Sequence, residues 1–234
     1  MSMEKHFYGD YPTFHVAVDC IIFGFDQGEL KLLIHKRQFE PAKGEWSLFG
    51  GFVQSEESLD VAANRVLFEL TGLNKIYMEE LQTYGAVDRD PAGRVISVAY
   101  YALIPAREFK EASNSQSGAT WVSLRDLPPL IMDHNLMVEK GLRRLKRRAA
   151  SQPIGFELLP GEFTMPQLQA LYEAIYQEYL DKRNFRKKIL AMDVLIKLDT
   201  KDKSSSRKGA YLYRFDKRKY KKLVEGGGQL HQMK

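Results

Sequence analysis

The chain of 234 residues has little cysteine and no long apolar segment, and each scarcity excludes a class of protein. Its single cysteine, Cys20, cannot form an intramolecular disulfide, which excludes a disulfide-stabilised secreted domain and fits a reducing cytoplasm. No stretch approaches the roughly 18 uninterrupted apolar residues that a membrane span needs. Residues 1–10 are polar and lack the apolar centre of a signal peptide. The sequence therefore predicts a cytoplasmic protein with no membrane partner.

The composition that remains is that of a folded protein, with 44% hydrophobic and 28% charged residues. Its net charge of +5 is unevenly distributed. Residues 1–150 contain 18 Lys and Arg against 20 Asp and Glu, whereas residues 151–234 contain 17 against 10. This division suggests two modules, of which the second would meet a polyanion. A solvated basic face explains the charge alone equally well.

Residues 1–150 contain apolar runs typical of strands interleaved with helices. Two such runs flank the turn Asp26-Gln27-Gly28, which predicts a β-hairpin. Farther along, apolar residues recur at helical spacing and stop at Gly72, a good C-terminal residue for a helix. The predicted strands are residues 15–25, 30–37, 94–105 and 120–123, and the predicted helices are residues 59–70 and 135–150. The pattern favours an α/β-type domain over residues 1–150.

A different pattern follows a connector at residues 151–160, where Pro and Gly interrupt both periodicities. Thr164 and Gln167 have the spacing of a capping box, and Asp181 is placed to cap a second helix. After these two helices we predict strands at residues 194–198 and 211–215 around a polar loop, and a last helix at residues 217–224. Helix, turn, helix and hairpin is the order of a winged helix-turn-helix domain, predicted over residues 161–234.

A motif that carries chemistry spans residues 51–73, which read GFVQSEESLDVAANRVLFELTGL. The segment resembles the box of the Nudix hydrolase family: Gly, five residues, Glu, seven residues, then Arg-Glu-U-x-Glu-Glu-x-Gly-U, where U is a bulky aliphatic residue. The matching positions are Gly51, Glu57, Arg65, Leu67, Glu69, Gly72 and Leu73. The resemblance implies that the first domain is an α/β (α+β) Nudix-like α-β-α sandwich.

Two positions of the box depart from the family pattern, because Val66 and Leu70 stand where glutamates are expected. In the family these carboxylates hold the Mg²⁺ or Mn²⁺ ions that activate water against a pyrophosphate, and aliphatic side chains supply no oxygen ligand. We therefore expect no hydrolase activity, no catalytic residue, no bound metal and no cofactor. Glu57 and Arg65 are interpreted as an internal ion pair that braces the loop on the helix, with residual metal binding as the alternative.

The second predicted helix of the C-terminal domain has a basic face opposite its apolar face of Phe185 and Ile189. Such a helix suits the major groove of DNA, where side chains of its first turn reach base edges and wing cations meet phosphates. A solvated helix is the alternative. The predicted DNA-binding residues are Lys182, Arg183, Asn184, Arg186 and Lys187 on the helix, and Lys203, Arg207 and Lys208 on the wing.

The order of the two domains resembles that of the Nudix-related transcriptional regulators, in which a Nudix-like sensor precedes a winged helix. The resemblance includes residues 41–53, 88–91, 93–100 and 180–186, the last of which is similar to the family's recognition-helix segment. It implies a bacterial repressor that binds palindromic double-stranded operator DNA as a homodimer and releases it when a metabolite binds. One branch of the family senses ADP-ribose and controls NAD synthesis, and another senses L-arabinose and controls pentose use.

The effector would occupy the Nudix-like pocket, and the two ligands require different side chains. A diphosphate needs several cations, and Arg89 is a candidate in addition to the lysine and arginines named below. A neutral pentose needs hydrogen-bonding groups and an aromatic wall. Loss of two metal carboxylates favours a ligand without a diphosphate, so we expect L-arabinose before ADP-ribose. The candidate effector-binding residues are Asp19, Lys36, Arg37, Trp46, Glu69, Asp88, Arg94 and Tyr100.

Two other classes of protein stay open from the residues alone. An ADP-sugar pyrophosphohydrolase with an accessory nucleic-acid domain would need the carboxylates that Val66 and Leu70 replace. An RNA-associated Nudix protein would need aromatic stacking surfaces on a sheet, whereas the basic positions here belong to a predicted helix and wing. The leading hypothesis is a dimeric, metabolite-responsive DNA-binding repressor.

Overall fold

A long hairpin and its parallel partner strand form the centre of the first domain. The computed structural model describes residues 9–72, 76–106, 118–154, 158–203 and 208–225. Within the first domain, seven strands form one mixed sheet that two helices cover. The strands are β1 His15–Asp26, β2 Glu29–Lys36, β3 Trp46–Ser47, β4 Phe49–Phe52, β5 Tyr77–Tyr84, β6 Val95–Pro105 and β7 Thr120–Ser123, and the helices are α1 Leu59–Thr71 and α2 His134–Ser151.

The predicted β1–β2 hairpin is confirmed. Its strands pair antiparallel up to Asp26 opposite Glu29, which leaves the two-residue loop Gln27-Gly28. Both loop residues have positive φ angles, 53° and 81°, as in the tight turns that match the right-handed twist of strands. β1 also pairs in parallel with β6, and both strands are largely buried on their two faces, which explains their continuous apolar runs.

Side chains of β1 alternate between two apolar layers. Cys20 and Ile22 pack on one face of the sheet with Leu67 of α1. Ile21 and Phe23 pack on the other face, in the apolar cluster that includes the buried side of α2. A helix therefore covers each face of the sheet, which confirms the α-β-α sandwich.

The second domain is a winged helix, as the order of its elements predicts. The Thr164 side chain accepts the N–H of Gln167, and the Gln167 side chain accepts the N–H of Thr164, so the predicted capping box forms. Strands of this domain form a separate sheet in the order β8-β10-β9. The elements are β8 Phe163–Thr164, α3 Met165–Tyr176, α4 Lys182–Ala191, β9 Leu195–Asp202, β10 Ala210–Phe215 and α5 Lys217–Glu225.

One apolar cluster continues from the first domain into the second. It joins Phe23 of β1 and Leu145 of α2 to Leu171 of α3 and Phe185 of α4. The predicted connector takes part in this packing, because Ile154 and Leu158 are buried within the same cluster. The two domains are thus joined through shared apolar packing as well as through the chain.

The boundaries proposed for the domains, 1–150 and 161–234 around a linker at 151–160, stay a prediction. α2 extends through Ser151, and the N–H of Ile154 donates to the hydroxyl of Tyr172 at 2.9 Å. Residues 155–157 lie outside the described residues. The described part of the connector is therefore held against the second domain.

Four strands lie outside the predicted set: the two-residue strands β3 and β8, and the strands β4 and β5. Half of the eight residues of β5 are polar, and β5 pairs with β6 at the edge of the sheet, so it lacks an apolar run that would reveal it. The segment Phe49-Gly50-Gly51-Phe52, whose paired glycines favour a turn, instead forms β4 and pairs antiparallel with β1. Among the helices of the described residues, none combines the length and the apolar character that a membrane crossing requires.

Candidate functional site

The Nudix-like box forms a loop and helix that an internal ion pair holds together. The Ser58 side chain caps α1 by accepting the N–H of Val61. Arg65 donates from Nη2 to Glu57 Oε1 at 2.6 Å and from Nε to Glu57 Oε2 at 2.9 Å. These hydrogen bonds lower the pKa of Glu57. Arg65 also donates to the carbonyl of Phe52 at 3.1 Å, so the predicted brace between loop and helix is confirmed.

Val66 belongs to the apolar core instead of to a metal site. Its side chain is 2% exposed and packs in the layer between α1 and the sheet. A Cβ atom built on Gly51 would lie 3.0 Å from Val66 Cγ2, so the valine sits directly over the backbone of the box loop. Glu69 is exposed and pairs with Arg65 at 3.5 Å. The side chain of Leu70 and the box residue Leu73 lie outside the described residues.

No candidate metal cluster is found within the described ranges. Among those residues, no group of three His, Cys, Asp or Glu side chains is close enough to hold a metal ion. The oxygen ligands that a hard divalent cation requires are not gathered around the described part of α1.

A cleft opens on the α2 side of the sheet, where β1 begins. Its cavity volume is roughly 100 Å³, below the roughly 300–1,000 Å³ of typical small-molecule pockets, so it is a small cleft. The floor is close-packed: a Cβ atom on Gly50 would lie 2.3 Å from Asp19 Oδ1, so only glycine lets β4 pass there. We call it the Asp19 cleft, and its polar and aromatic lining consists of Asp19, His35, Arg37, Phe39, Ser47, Phe52, Arg89, Asp90 and His134.

Arg89 ties together the acidic groups at the base of the Asp19 cleft. Its buried guanidinium donates to both carboxylate oxygens of Asp133, at 2.7 and 2.9 Å, and its Nη2 lies 3.7 Å from Asp19 Oδ2. Ser97 donates its hydroxyl proton to the same oxygen of Asp19 at 2.5 Å. Because two carboxylates share one arginine, Arg89 is already engaged before any ligand enters.

His134 is fixed as a neutral ring. The N–H of Leu48 donates to its Nδ1 at 3.1 Å, so the ring carries its proton on Nε2, which lies 3.7 Å from Asp19 Oδ1. Burial lowers the pKa of His134, and burial also lowers the pKa of His35, which stacks on Phe49 at 4.4 Å. The cleft therefore offers neutral imidazoles at physiological pH.

Arg37 and two aromatic rings form the mouth of the Asp19 cleft. The Arg37 guanidinium lies 4.1 Å from the ring centroid of Phe39 and donates from Nε to the Phe39 carbonyl at 3.2 Å. Phe39 and Phe52 are each more than half exposed. Asp90 is a second acidic residue of the lining, in addition to Asp19. Ligand groups of two kinds can therefore be bound at this opening: a planar ring by Phe39 and Phe52, and an anion by Arg37.

Of the eight predicted effector residues, the structure brings Asp19 and Arg37 to the cleft. Lys36 and Trp46 pair with each other at 5.3 Å outside its lining. Arg94 donates to the carbonyls of residues 85 and 86 and so braces a loop.

The other three predicted residues lie elsewhere. Glu69 belongs to the exposed surface of α1, and Asp88 is exposed in the loop before Arg89. Tyr100 is buried on the α1 face of the sheet and donates to Asp60 at 2.8 Å. Alternation along β6 sends this side chain away from the cleft.

Sequence reasoning missed His35, Phe39, Phe52, Asp90 and His134 as lining residues. Nothing local marks the residues other than Phe52, because their shared position depends on which loops close over the end of the sheet. Phe52, inside the box segment, was the one that the motif could have indicated.

The predicted basic face of α4 is exposed. Phe185 and Ile189 are buried, whereas the five predicted helix residues are all exposed. The Asp181 side chain caps the helix by accepting the N–H of Asn184 at 2.8 Å. On the wing Lys203 and Lys208 are exposed, and Arg207 lies outside the described residues. We call Lys182, Arg183, Arg186 and Lys187 the cationic stripe.

Comparison with known proteins matches both domains. Residues 13–142 match the NUDIX domain family, and residues 155–215 match the NrtR DNA-binding winged helix domain. The chain is 33% identical over 210 residues to the ADPR responsive transcriptional repressor NtrR of Acinetobacter baylyi, covering 88% of this chain and 84% of that one. It is 35% identical over 128 residues to an ADP-ribose pyrophosphatase of Methanocaldococcus jannaschii, covering 55% of this chain and 73% of that one.

Two solved structures of Shewanella oneidensis NrtR are similar to this chain. The complex with a 27mer DNA has 30% identity and a TM-score of 0.79 over 88% of this chain and 95% of that one. The NUDIX domain in complex with ADP ribose has 32% identity and a TM-score of 0.52 over 58% of this chain and 91% of that one. The expectation of L-arabinose finds no support among these proteins, whose names favour ADP-ribose over it. The chain belongs to the NrtR-type family, in which a Nudix domain is followed by an NrtR-type DNA-binding winged-helix domain.

Proposed function

We propose that this chain is a transcriptional repressor that binds operator DNA as a homodimer and releases it when ADP-ribose enters the Asp19 cleft. The observation that carries the proposal is the cationic stripe, which is exposed on a helix that follows the helix-turn-helix order. A repressor of related sequence is named as ADPR-responsive, and a related NrtR has been crystallised with DNA.

The winged helix carries the side chains that would contact DNA bases and phosphates. Arg183 and Asn184 lie in the first turn of α4, where side chains of a recognition helix reach base edges in the major groove. The remaining cations of the stripe and Lys203 of the wing fit phosphate groups, whose contacts set affinity without reading sequence. A homodimer would present two such helices to a palindrome with half-sites about one or two helical turns apart.

The Asp19 cleft supplies groups for each part of ADP-ribose. Phe39 and Phe52 offer exposed rings against which an adenine can stack, and Arg37 offers a cation for the diphosphate. Asp19 and Asp90 are acceptors for ribose hydroxyls. Release of DNA then requires that ADP-ribose bind the DNA-free conformation more tightly, because a ligand with equal affinity for both states shifts nothing.

Hydrolysis of ADP-ribose is the second candidate, since part of the chain is similar to an ADP-ribose pyrophosphatase and the box keeps Glu57, Arg65 and Glu69. Against it stand the burial of Val66 and the engagement of Glu57 by Arg65. We expect no magnesium-stimulated release of AMP above background. A turnover number of about 1 s⁻¹ or more, ordinary for an enzyme, would establish the hydrolase instead.

Fluorescence anisotropy with labelled duplexes from the region upstream of the gene tests the repressor proposal. We expect tight binding to a palindromic duplex, weaker binding to a scrambled one, and release by ADP-ribose but not by AMP or L-arabinose at the same concentration. Binding that ignores ADP-ribose would remove the effector assignment. Absence of sequence preference would remove the operator assignment, and sedimentation of the complex would report whether two chains bind.

A further inference from the structure

An aromatic ring on the wing holds two ammonium groups. The Nζ atom of Lys197 lies 3.7 Å from the ring centroid of Tyr211, and the Nζ atom of Lys201 lies 4.5 Å from it. Both distances are within the roughly 6 Å at which a cation is attracted to an aromatic face. All three side chains are exposed. We call Lys197, Lys201 and Tyr211 the wing cluster.

The wing cluster continues the basic surface of α4. Lys201 is opposite Tyr211 in the β9–β10 pairing, and Lys197 is opposite Tyr213 beyond an irregularity in the register. The contacts of both ammonium groups with the Tyr211 ring place the two lysines on the same face as that ring. Tyr213 is buried, and its hydroxyl lies 3.5 Å from Nη2 of Arg186, a member of the cationic stripe. The cluster and the stripe therefore adjoin through the Arg186–Tyr213 contact.

The charge of the wing cluster is not balanced by neighbouring acids. Asp199 lies between the two lysines in sequence, yet within the described residues neither ammonium has a carboxylate at ion-pair distance. Two like charges held at one ring repel each other, and an anion that lies between or across them offsets this repulsion. A chain of phosphate groups, one negative charge every few ångströms, meets that requirement.

We infer that Tyr211 is a positioning residue that holds Lys197 and Lys201 as a phosphate-binding element of the wing, beside the recognition helix α4. The inference rests on the proposed DNA-binding function and adds residues outside the predicted set. Tyr211 acts through the lysines: the ring restricts two flexible side chains, so less conformational freedom is lost when phosphates bind.

A double-mutant cycle separates this role from a direct contact between Tyr211 and DNA. Tyr211→Leu and Tyr211→Phe are made in the natural chain and in a Lys197→Gln/Lys201→Gln background. Affinity is measured by anisotropy on a mixed-sequence duplex of about 30 bp over roughly 50–200 mM salt, because phosphate contacts do not depend on sequence. Tyr11→Leu, at an exposed tyrosine of the first domain, is the matched control.

We expect Tyr211→Leu to weaken binding about fivefold in the natural chain and less than about twofold in the glutamine background. Tyr211→Phe should stay within about twofold, because phenylalanine keeps the ring face. The two glutamines should lower the slope of log affinity against log salt by about 2. Tyr11→Leu should leave both the DNA affinity and its salt dependence unchanged.

Equal losses in both backgrounds, or a loss in Tyr211→Phe as large as in Tyr211→Leu, would show a direct contact and overturn the positioning role. Unchanged affinity in every variant would leave the cluster a solvated face. Both results differ from failure of the natural chain to bind any duplex, which would refute the proposed function and the inference together. Thermal melting of each variant checks that the wing remains folded.

Discussion

Single side chains decide which chemistry the first domain can perform. Val66 packs over the Gly51 backbone, at the position where the resemblance to Nudix hydrolases implies a metal-binding glutamate. Glu57 is held by two hydrogen bonds from Arg65. Arg89, in turn, is held between Asp19 and Asp133. At these positions a side chain's role follows from its immediate neighbours.

Replacing Val66 with glutamate should destabilise the fold. We expect Val66→Glu to lower the free energy of unfolding by about 2–4 kcal/mol at pH 7, because it buries a carboxylate without a partner. Val66→Leu, the matched apolar control, should cost less than about 1.5 kcal/mol. The difference should shrink at pH 4, where the carboxyl is protonated. Urea unfolding measures both, and equal stability of the two variants at pH 7 would contradict the burial of this side chain.

Acidification should destabilise the protein through its buried histidines. Burial lowers the pKa values of His35 and His134, so below about pH 6.5 the unfolded chain binds protons that the folded chain does not. The contribution of these histidines to the free energy of unfolding is therefore fully present above that pH. It is lost as the pH falls, by at most about 1.4 kcal/mol per pH unit for each histidine.

The control for this pH dependence is a pair of variants. His134→Asn should make the fall in stability between pH 7.5 and 5.5 shallower, whereas His15→Asn, at an exposed histidine, should leave the slope unchanged. Urea titrations at several pH values give the slopes. Identical slopes for the natural chain and both variants would mean that His134 does not contribute.

Capping residues determine where two helices of the second domain begin. The Thr164 box starts α3, and the Asp181 side chain starts α4 so that Arg183 and Asn184 fall in its first turn. Phe185 then anchors α4 by an edge contact with Tyr172, with ring centroids 5.3 Å apart. These local devices fix which side chains a recognition helix can present.

Two substitutions should separate base reading from phosphate binding. Arg183→Ala should cost about 1–3 kcal/mol of binding free energy at one base pair and relax the preference there. Lys203→Ala should weaken all sequences alike and lower the salt slope by about 1. Filter binding over a range of salt, with palindromic and scrambled duplexes, measures both effects. If neither variant changes affinity, the cationic stripe and the basic wing are only solvated surfaces.

At the scale of the whole molecule, α2 connects the cleft to the winged helix. Its first residue, His134, lines the Asp19 cleft, and 18 residues of helix extend about 27 Å. Near its other end, the Arg148 guanidinium lies 3.9 Å from the ring centroid of Tyr77, and its Nη2 lies 3.4 Å from the hydroxyl of Tyr220 in α5. One helix therefore contacts both the Asp19 cleft and the winged-helix domain.

Loss of the Arg148 contacts should reduce communication between the two sites. In Arg148→Met we expect ADP-ribose still to bind, but its effect on DNA affinity to fall at least about threefold, because the helix end no longer holds α5. Arg147→Met, at an exposed neighbour, is the control. Calorimetry gives the ADP-ribose affinity and anisotropy gives the shift in DNA affinity. Equal coupling in both variants would remove Arg148 from the connection.

Elements whose signals are local can be predicted from the amino-acid sequence. The Gln27-Gly28 turn, the Thr164 capping box and the spacing of Glu57 and Arg65 each lie within a few residues, so the hairpin, the winged helix and the braced box follow from them. The polar edge strand β5 carries no such signal, because the pairing that defines it lies with β6.

The set of side chains that share the cleft depends on packing between segments that are distant in the chain. Asp19, Arg89 and His134 come from a strand, a loop and a helix start far apart in the chain, and they meet because α2 packs across the same face of the sheet. Tyr100, a plausible ligand in sequence, lies on the opposite face beside Asp60. Alternation along a strand predicts which of its residues share one side of the sheet. Packing between distant segments decides which side a helix covers and which loops close over the end of the sheet.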